Sequence, residues 1–235
     1  MAEKDNGFYI TNPPVRTKDY YIDALQILQS ELSKNSVTLL DVGCATGDFI
    51  ELISTTFPHV SIFGLEQDSD YVKYARDRDL NACIYNGSIL DPLNDFKNKF
   101  DVITVFGVVQ QFDDLEITFR NLASWMRVGG KVLVFSHFNP YPIDVFIKYR
   151  QVNTGTKEEI QGGWNVHSLV KIEELSSEFG FKHQFIEFQI RSEILAQENK
   201  VRSWTYYDSE GVLRCKNGLG LDLYQGFFVL HKLTS

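Results

Sequence analysis

The chain has few cysteines, no excess of positive charge and no long apolar run, and each absence excludes a class of protein. Its three cysteines (Cys44, Cys83 and Cys215) are too few and too irregularly spaced for a disulfide framework, so we expect reduced thiols. Lysine and arginine number 23 against 31 acidic residues, a net charge of −8, which disfavours a nucleic-acid partner. Residues 1–6 are too polar for a signal peptide, and no segment reaches membrane-spanning length. We therefore expect a cytoplasmic protein with no nucleic-acid and no membrane partner.

The remaining composition is that of an ordinary globular protein. Hydrophobic residues make up 43% of the 235 positions and charged residues 23%, which is typical of a folded domain. A chain of this length can bury a sizeable core within one α/β domain. No repeat, low-complexity tract or linker divides the sequence. We predict a single domain over residues 1–235.

Strand and helix patterns alternate along the first 136 residues. Strands are predicted at 37–42, 61–65, 82–85, 100–106 and 130–136, and helices at 17–34, 47–56, 69–78 and 114–127. This alternation predicts an α/β fold with a doubly wound parallel sheet. We divide the chain into an N-terminal helical segment (1–35), a core (36–136), cap insertions (137–225) and a last strand (226–235). Within the cap insertions we predict a helix at 167–179, a strand at 182–190 and a hairpin at 203–214.

Residues 37–49, VTLLDVGCATGDF, form the most informative stretch. A continuous apolar run of this kind is typical of a buried parallel strand. The small residues after it let the backbone turn sharply and let a ligand lie against it. Asp41 places a carboxylate beside this turn, where it can meet a cationic amine of a ligand.

Two other interpretations of this stretch compete with a turn that binds an amine-bearing ligand. The dinucleotide fingerprint Gly-x-Gly-x-x-Gly, aligned on Gly43, would require glycine where the chain has Ala45 and Asp48. An acid at the start of the helix would also repel a pyrophosphate at its N-terminus. A strand, turn and helix without a ligand is the other alternative, since such loops are common in α/β folds.

A second acid lies about twenty residues beyond the turn, where doubly wound folds place an acceptor for ribose hydroxyls. Residues 60–66, VSIFGLE, form another apolar strand that ends in Glu66. Gln67 follows it, next to the expected position of an adenine. The two acids at this spacing favour a nucleoside-bearing ligand with an amine.

The loop after the first strand resembles the first motif of class I S-adenosylmethionine (SAM) dependent methyltransferases, acid-x-Gly-x-Gly-x-Gly, with Ala45 in the middle position. The resemblance covers about residues 37–136 and implies a Rossmann-like doubly wound seven-stranded sheet with an antiparallel last strand. It also implies SAM as cofactor, S-adenosylhomocysteine as product and no metal. The implied cofactor-binding residues are Asp41, Gly43, Cys44, Ala45, Gly47, Glu66, Gln67, Ser88, Ile89, Phe106 and Gly107. The chain departs from the family at Ser88, where relatives often have aspartate, and at Gln110 and Gln111, where they often have an acid and a histidine.

Methyl transfer is an in-line displacement, so alignment can supply most of the catalysis. A base is needed only where the acceptor must lose a proton. His137, expected just after the fifth strand, and His167 are the candidates for that role, against the alternatives of a loop residue and of a helical residue capped by Asn165. The predicted acceptor-binding residues are Gln110, Asn139, Tyr141, Trp164, Asn165 and Arg202.

The last third of the chain resembles small bacterial methyltransferases of capsule and lipopolysaccharide assembly, at residues 163–165, 202–206 and 224–229. This resemblance implies a small-molecule acceptor, namely a sugar, a nucleotide sugar or a phosphate-bearing precursor, with O-methylation favoured. A protein or RNA methyltransferase is one alternative. A SAM-binding subunit without catalysis is another, which the Gln110–Gln111 departure leaves open. The oligomeric state is open as well.

The Asn-Pro-Pro-Val run at 12–15 resembles the Asn-Pro-Pro-aromatic motif of amino-methylating enzymes. It precedes the first helix and ends in valine rather than an aromatic residue. We therefore predict a proline-stiffened loop there. Arg16, beside it, is a candidate partner for the methionine carboxylate of SAM.

Overall fold

The computed structural model describes residues 8–11, 17–152 and 160–233. The Asn-Pro-Pro-Val run and Arg16 lie outside these residues, so the expectations for them stay predictions. Within the described ranges, no helix is long and apolar enough to cross a membrane.

Strands and helices follow the predicted alternation. The strands are β1 (Thr38–Val42), β2 (Ser61–Glu66), β3 (Ala82–Asn86), β4 (Phe100–Phe106), β5 (Met126–Asn139), β6 (Lys148–Tyr149), β7 (Gln161–Gly162), β8 (His167–Ser168), β9 (Phe181–Glu187), β10 (Trp204–Tyr207), β11 (Leu213–Lys216) and β12 (Gln225–Lys232). The helices are α1 (Phe8–Thr11), α2 (Asp19–Leu32), α3 (Asp48–Thr56), α4 (Ser69–Asp77), α5 (Glu116–Trp125) and α6 (Leu169–Glu178). Single 3₁₀ turns lie at Asn94–Phe96 and Val109–Gln111.

The main sheet has the strand order β3-β2-β1-β4-β5-β12-β9, with β8 paired to the end of β5. Strands β1 to β5 are parallel to one another, and β12 is antiparallel to both β5 and β9. This confirms the predicted doubly wound sheet with an antiparallel last strand. The strand order reverses between β1 and β4, and ligands of open α/β sheets bind at the carboxyl ends of the strands at such a switch point.

Apolar clusters cover both faces of the sheet, as the continuous apolar strands require. Adjacent residues of a strand point to opposite faces, and Leu39 and Leu40 accordingly belong to different clusters. Helices α2, α3 and α4 pack on the Leu39 side. Helices α5 and α6 pack on the Leu40 side, where Trp125 is fully buried. The core therefore fixes the sheet from both sides and leaves its carboxyl edge for a site.

The boundary between α5 and β5 differs from the prediction. The helix ends at Trp125 and the strand begins at Met126 rather than at residue 130. The pairing with β4 shifts register between Phe100 and Val102, and a Cβ at Gly130 would lie 2.9 Å from two backbone carbonyl oxygens. Glycine allows this irregular pairing. At its other end β5 continues to Asn139 through its pairing with β12 and β8, and it therefore includes His137, which was predicted to follow the strand.

Two additions leave the carboxyl edge of the sheet and form a cap. The first follows β5 and contains the β6–β7 ribbon, and the second follows β9 and contains the β10–β11 hairpin. An apolar cluster of Trp164, Val201, Cys215 and Leu223 joins them. We call this the cap cluster. It connects the two additions through side chains that are distant in sequence.

Candidate active site

A cavity of about 880 Å³ opens at the carboxyl ends of the central strands. All of the predicted cofactor-binding residues except Gly47 lie on its wall. We call the part formed by β1, β2, β3 and the loops after them the cofactor end. The part formed by the loop after β4, by β5 and β12, and by the cap is the acceptor end. Its wall residues include Val108, Gln110, Gln111, Phe112, Phe135, Ser136, His137, Trp164, Arg202, Ser203 and Gln225.

The loop between β1 and α3 adopts a conformation that favours residues without a side chain. Gly43 has φ +70°, and a Cβ there would lie 2.4 Å from Cγ2 of Val108. Ala45 also has a positive φ of 46°, which is uncommon for a residue with a Cβ and explains why the family motif has glycine at this position. Arg78 stabilises the loop, because its guanidinium donates a hydrogen bond to the carbonyl of Thr46 at 2.6 Å.

Asp41 is a buried carboxylate at the cofactor end, 4% exposed. The hydroxyl of Thr104 donates a hydrogen bond to its Oδ1 at 2.7 Å. Burial, together with the nearby charge of Glu66, raises the pKa of Asp41 to about 7, although the hydrogen bond from Thr104 and the charge of Lys18 act in the opposite direction. A bound ammonium group would stabilise the charged form, so this carboxylate fits the amine of the SAM methionine.

Glu66 closes the other side of the cofactor end. Its Oε2 accepts the backbone N–H of Ala45 at 3.0 Å and its Oε1 accepts that of Asp68 at 2.9 Å. Burial raises the pKa of this carboxyl group. Each oxygen of a carboxylate can accept more than one hydrogen bond, so Glu66 can hold the glycine-rich loop and still accept from ribose hydroxyls.

Ser88 and Ile89, which were predicted to hold the adenine, lie on the cavity wall. The Ser88 backbone N–H donates to Asp91 Oδ2 at 2.7 Å, and the Ile89 carbonyl accepts from Asn121 at 2.7 Å. Asp91 thus fixes the loop three residues after the position where relatives carry an acid. The sequence analysis did not identify this role.

A basic and aromatic group from α2 and α1 also faces the cofactor end and was missed by the sequence analysis. Lys18 precedes α2, with Nζ 3.4 Å from the hydroxyl of Tyr21 and 5.0–5.9 Å from the ring centroids of Tyr9, Tyr20 and Tyr21. All four residues line the cavity. The segment lies outside the motif strands, and only the unusual Lys-Asp-Tyr-Tyr start of the helix could have indicated it.

His137 and Trp164 form the wall of the acceptor end. Nε2 of His137 lies 3.4 Å from the Trp164 carbonyl oxygen, and the two rings are stacked with centroids 5.6 Å apart. Burial lowers the pKa of His137 to about 4, so the imidazole is neutral at physiological pH. Trp164 has φ +63°, a conformation that non-glycine residues adopt at a cost and that often occurs at functional sites.

The other predicted acceptor residues fall into two groups. Gln110 and Arg202 lie on the cavity wall, and the Arg202 guanidinium also covers the ring of Phe8 at 4.2 Å. The remaining predicted residues are absent from the cavity wall. Tyr141 is 68% exposed, and the amide of Asn139 donates to the carbonyl of Ile143 at the surface.

His167 is buried but lies off the cavity wall. Its Nε2 is 3.0 Å from the carbonyl oxygen of Phe112, and burial lowers its pKa. It belongs to β8, and the following helix is capped by Ser168, whose hydroxyl accepts from the N–H of Lys171. The alternative interpretation, in which Asn165 caps this helix, is therefore wrong.

Asn165 instead fastens the first cap addition to the loop after β4. Fully buried, it accepts from the N–H of Ile147 and donates to the carbonyl of Phe112 and to Asp113, all at 2.9–3.0 Å. Its backbone N–H donates to the carbonyl of Gln110. Asn165 thus positions the acceptor end without lining it.

We expect Asn165→Ala to destabilise the protein by about 2–4 kcal/mol, because it leaves buried backbone groups without partners. Chemical denaturation measures the change. Asn139→Ala, which removes two hydrogen bonds of an asparagine at the end of β5 nearer the surface, is the matched control and should cost less than about 1 kcal/mol. Equal losses in both variants would contradict the positioning role of Asn165.

No group of three or more potential metal ligands is assembled within the described ranges. That the protein needs no metal stays a prediction.

Known proteins resemble this chain in sequence and in fold. A family model described as a methyltransferase domain matches residues 40–132. Putative methyltransferase 235L of Invertebrate iridescent virus 6 is 24% identical over 49% of this chain, but the match spans only 41% of the viral protein. Malonyl-[acyl-carrier protein] O-methyltransferase of a Paenibacillus strain is 26% identical over 76% of this chain and 71% of its own length.

Among solved structures, the Burkholderia thailandensis 1,6-didemethyltoxoflavin-N1-methyltransferase with bound S-adenosylhomocysteine superposes with a TM-score of 0.60. It is 12% identical, and the superposition covers 97% of this chain and 85% of that one. The chain therefore has the class I SAM-dependent methyltransferase fold, and its residues 40–132 match the methyltransferase domain model. The predictions of this fold and of SAM as the cofactor are confirmed.

Proposed function

We propose that the protein transfers a methyl group from SAM to an oxygen atom of a small polar molecule, namely a sugar, a nucleotide sugar or a phosphate-bearing precursor of a surface glycan. The observation that carries the proposal is a continuous cavity, which joins the acid-lined cofactor end to an amide- and aromatic-lined acceptor end. Its volume is in the range of small-molecule sites.

The polarity of the two ends supports this assignment. The cofactor end holds the carboxylates of Asp41 and Glu66, which suit an amine and ribose hydroxyls. Among the described wall residues of the acceptor end, Arg202 carries the full charge. The other polar groups are amides, hydroxyls and a neutral imidazole, and they lie beside the apolar side chains of Val108, Phe112, Phe135 and Trp164. Such groups suit hydroxyl-bearing rings, and the guanidinium suits a phosphate or carboxylate on the same molecule.

SAM supplies an electrophilic methyl group on a sulfonium. Asp41 and Glu66 fix the cofactor, and Trp164 with the cap orients the acceptor oxygen in line with the methyl group. A hydroxyl oxygen becomes strongly acidic as its new C–O bond forms, so even a weakly basic imidazole can accept the proton. A neutral His137 that donates through Nε2 to the Trp164 carbonyl carries its lone pair on Nδ1, the atom that would take this proton.

For a hydroxyl acceptor, we expect His137→Ala to lower kcat by about 10²–10⁴-fold, with SAM affinity intact, because the proton then has no positioned acceptor. Because burial lowers the pKa of His137 to about 4, the wild-type kcat at saturating SAM should fall through protonation of this base only below about pH 4, rather than near 6.5. Steady-state kinetics across pH with calorimetry of SAM binding checks both expectations. His183→Ala, on strand β9, is the control. Turnover within a few-fold of wild type in His137→Ala, or a loss confined to His167→Ala, would contradict the role of His137.

The test of the proposed function combines binding and turnover. Calorimetry measures SAM and S-adenosylhomocysteine binding, and methyl-labelled SAM is then incubated with nucleotide sugars, sugar phosphates and simple glycosides. We expect binding and a methylated product in this panel. Absence of SAM binding would overturn the proposal. Binding with label transferred to protein or RNA fractions, or to nothing, would support instead a macromolecular methyltransferase or a non-catalytic SAM-binding subunit.

A further inference from the structure

Two adjacent glutamines on the wall of the acceptor end have different hydrogen-bonding states. Oε1 of Gln110 accepts from the buried hydroxyl of Ser136 at 2.7 Å, and its backbone carbonyl accepts from Asn165 at 2.9 Å. Gln110 is thus tied to β5 and to the cap. Oε1 of Gln111 is also buried, but it has no hydrogen-bond partner among the residues that the structure describes.

A buried oxygen without a donor is costly, because the group has lost its water without gaining a replacement. Native structures contain few such groups, and each requires an explanation. The Val109–Gln111 turn does not explain this oxygen, because the turn is closed by the backbone N–H of Gln111, which donates to the Val108 carbonyl, and does not use the side chain. Both glutamines line the same cavity. A buried oxygen without a donor, on a residue that lines the cavity, therefore leaves a bound ligand as the source of the missing partner.

We propose that Gln111 is a specificity residue for the methyl acceptor and that its side-chain carbonyl accepts a hydrogen bond from a hydroxyl or N–H group of that molecule. This inference rests on the proposed function and names the chemistry that the acceptor must offer. A donor-bearing acceptor satisfies the buried oxygen. An acceptor that presents only carboxylate oxygens at this place leaves the oxygen unsatisfied and adds repulsion between lone pairs, so the site discriminates against it.

The first experiment needs no acceptor. Gln111→Leu removes the unsatisfied oxygen, so we expect the melting temperature of the unliganded protein to rise by about 2–4 °C. Gln110→Leu is the matched comparison, because the same change at the neighbouring position leaves the Ser136 hydroxyl without its acceptor. We expect it to lower the melting temperature by about 2–8 °C. A fall for Gln111→Leu would identify a structural residue and overturn the proposal.

The second experiment measures binding and turnover separately. We expect Gln111→Leu to bind S-adenosylhomocysteine like the wild type and to lose about tenfold or more in kcat/KM with the nucleotide sugars and glycosides of the panel. Gln111→Glu retains an acceptor oxygen and should keep more turnover than Gln111→Leu. Equal turnover of the wild type and Gln111→Leu would overturn the proposal even if both bind the cofactor.

The two proposals fail in different ways. If the wild type does not bind SAM, the proposed function fails whatever Gln111 does. If it binds SAM but methylates nothing in the panel, the acceptor class fails, and the melting temperatures of the two leucine variants still decide whether Gln111 is kept for a ligand.

Discussion

Replacing Glu66 with alanine lowers the affinity for SAM by about ten- to a hundredfold. The carboxylate is expected to accept charge-assisted hydrogen bonds from the ribose, worth roughly 1.5–3 kcal/mol. It also accepts the N–H groups of Ala45 and Asp68, so its loss loosens the glycine-rich loop as well. Titration calorimetry with S-adenosylhomocysteine measures the effect.

Two further variants separate these contributions. Glu66→Gln keeps an acceptor oxygen for the loop but loses the charge, so its affinity should lie between those of the wild type and Glu66→Ala. Glu174→Ala removes an exposed glutamate of α6 and should bind like the wild type. Unchanged affinity in Glu66→Ala would remove this residue from the cofactor site.

The affinity for SAM should fall about tenfold per pH unit below pH 7, because the SAM ammonium binds the ionised form of Asp41. Burial raises the pKa of this carboxyl group to about 7 in the free protein, so below that value binding must first release a proton. One pH unit then corresponds to about 1.4 kcal/mol. Calorimetry between pH 5 and 8 measures the slope of the logarithm of SAM affinity against pH, and Asp41→Asn should reduce this slope by about one. A flat profile in the wild type would contradict this linkage.

The same group has a stability effect of defined sign. Because its pKa is higher in the folded protein than in the unfolded chain, Asp41 contributes stability that is fully present below about pH 4 and is lost as the pH rises through about 7. Urea unfolding of the unliganded wild type, compared with Asp41→Asn, should show this loss only in the wild type. S-adenosylhomocysteine, which carries the same amine, should offset it.

Local sequence determined the cofactor end. Asp41 and Glu66 each end an apolar run of strand character, and parallel strands place such residues together at one edge whatever the distant chain does. The loop 43–47 is likewise local, because positive φ values at Gly43 and Ala45 follow from small residues between a strand and a helix. The strand alternation predicted the doubly wound sheet, and the resemblance of this loop to the family motif predicted SAM and the antiparallel last strand.

Only the tertiary structure decided which side chains line the acceptor end. Which histidine faces the cavity depends on the extension of β5 and its pairing with β12 and β8, which join segments far apart in the chain. Gln110 is hydrogen-bonded because Ser136 and Asn165 lie beside it, and Gln111 has no such neighbour for its Oε1 among the described residues. Lys18 reaches the site only because α2 packs against the sheet. The cap has no repeating pattern that fixes its direction. Its long-range hydrogen bonds and the cap cluster, rather than periodicity, place its side chains.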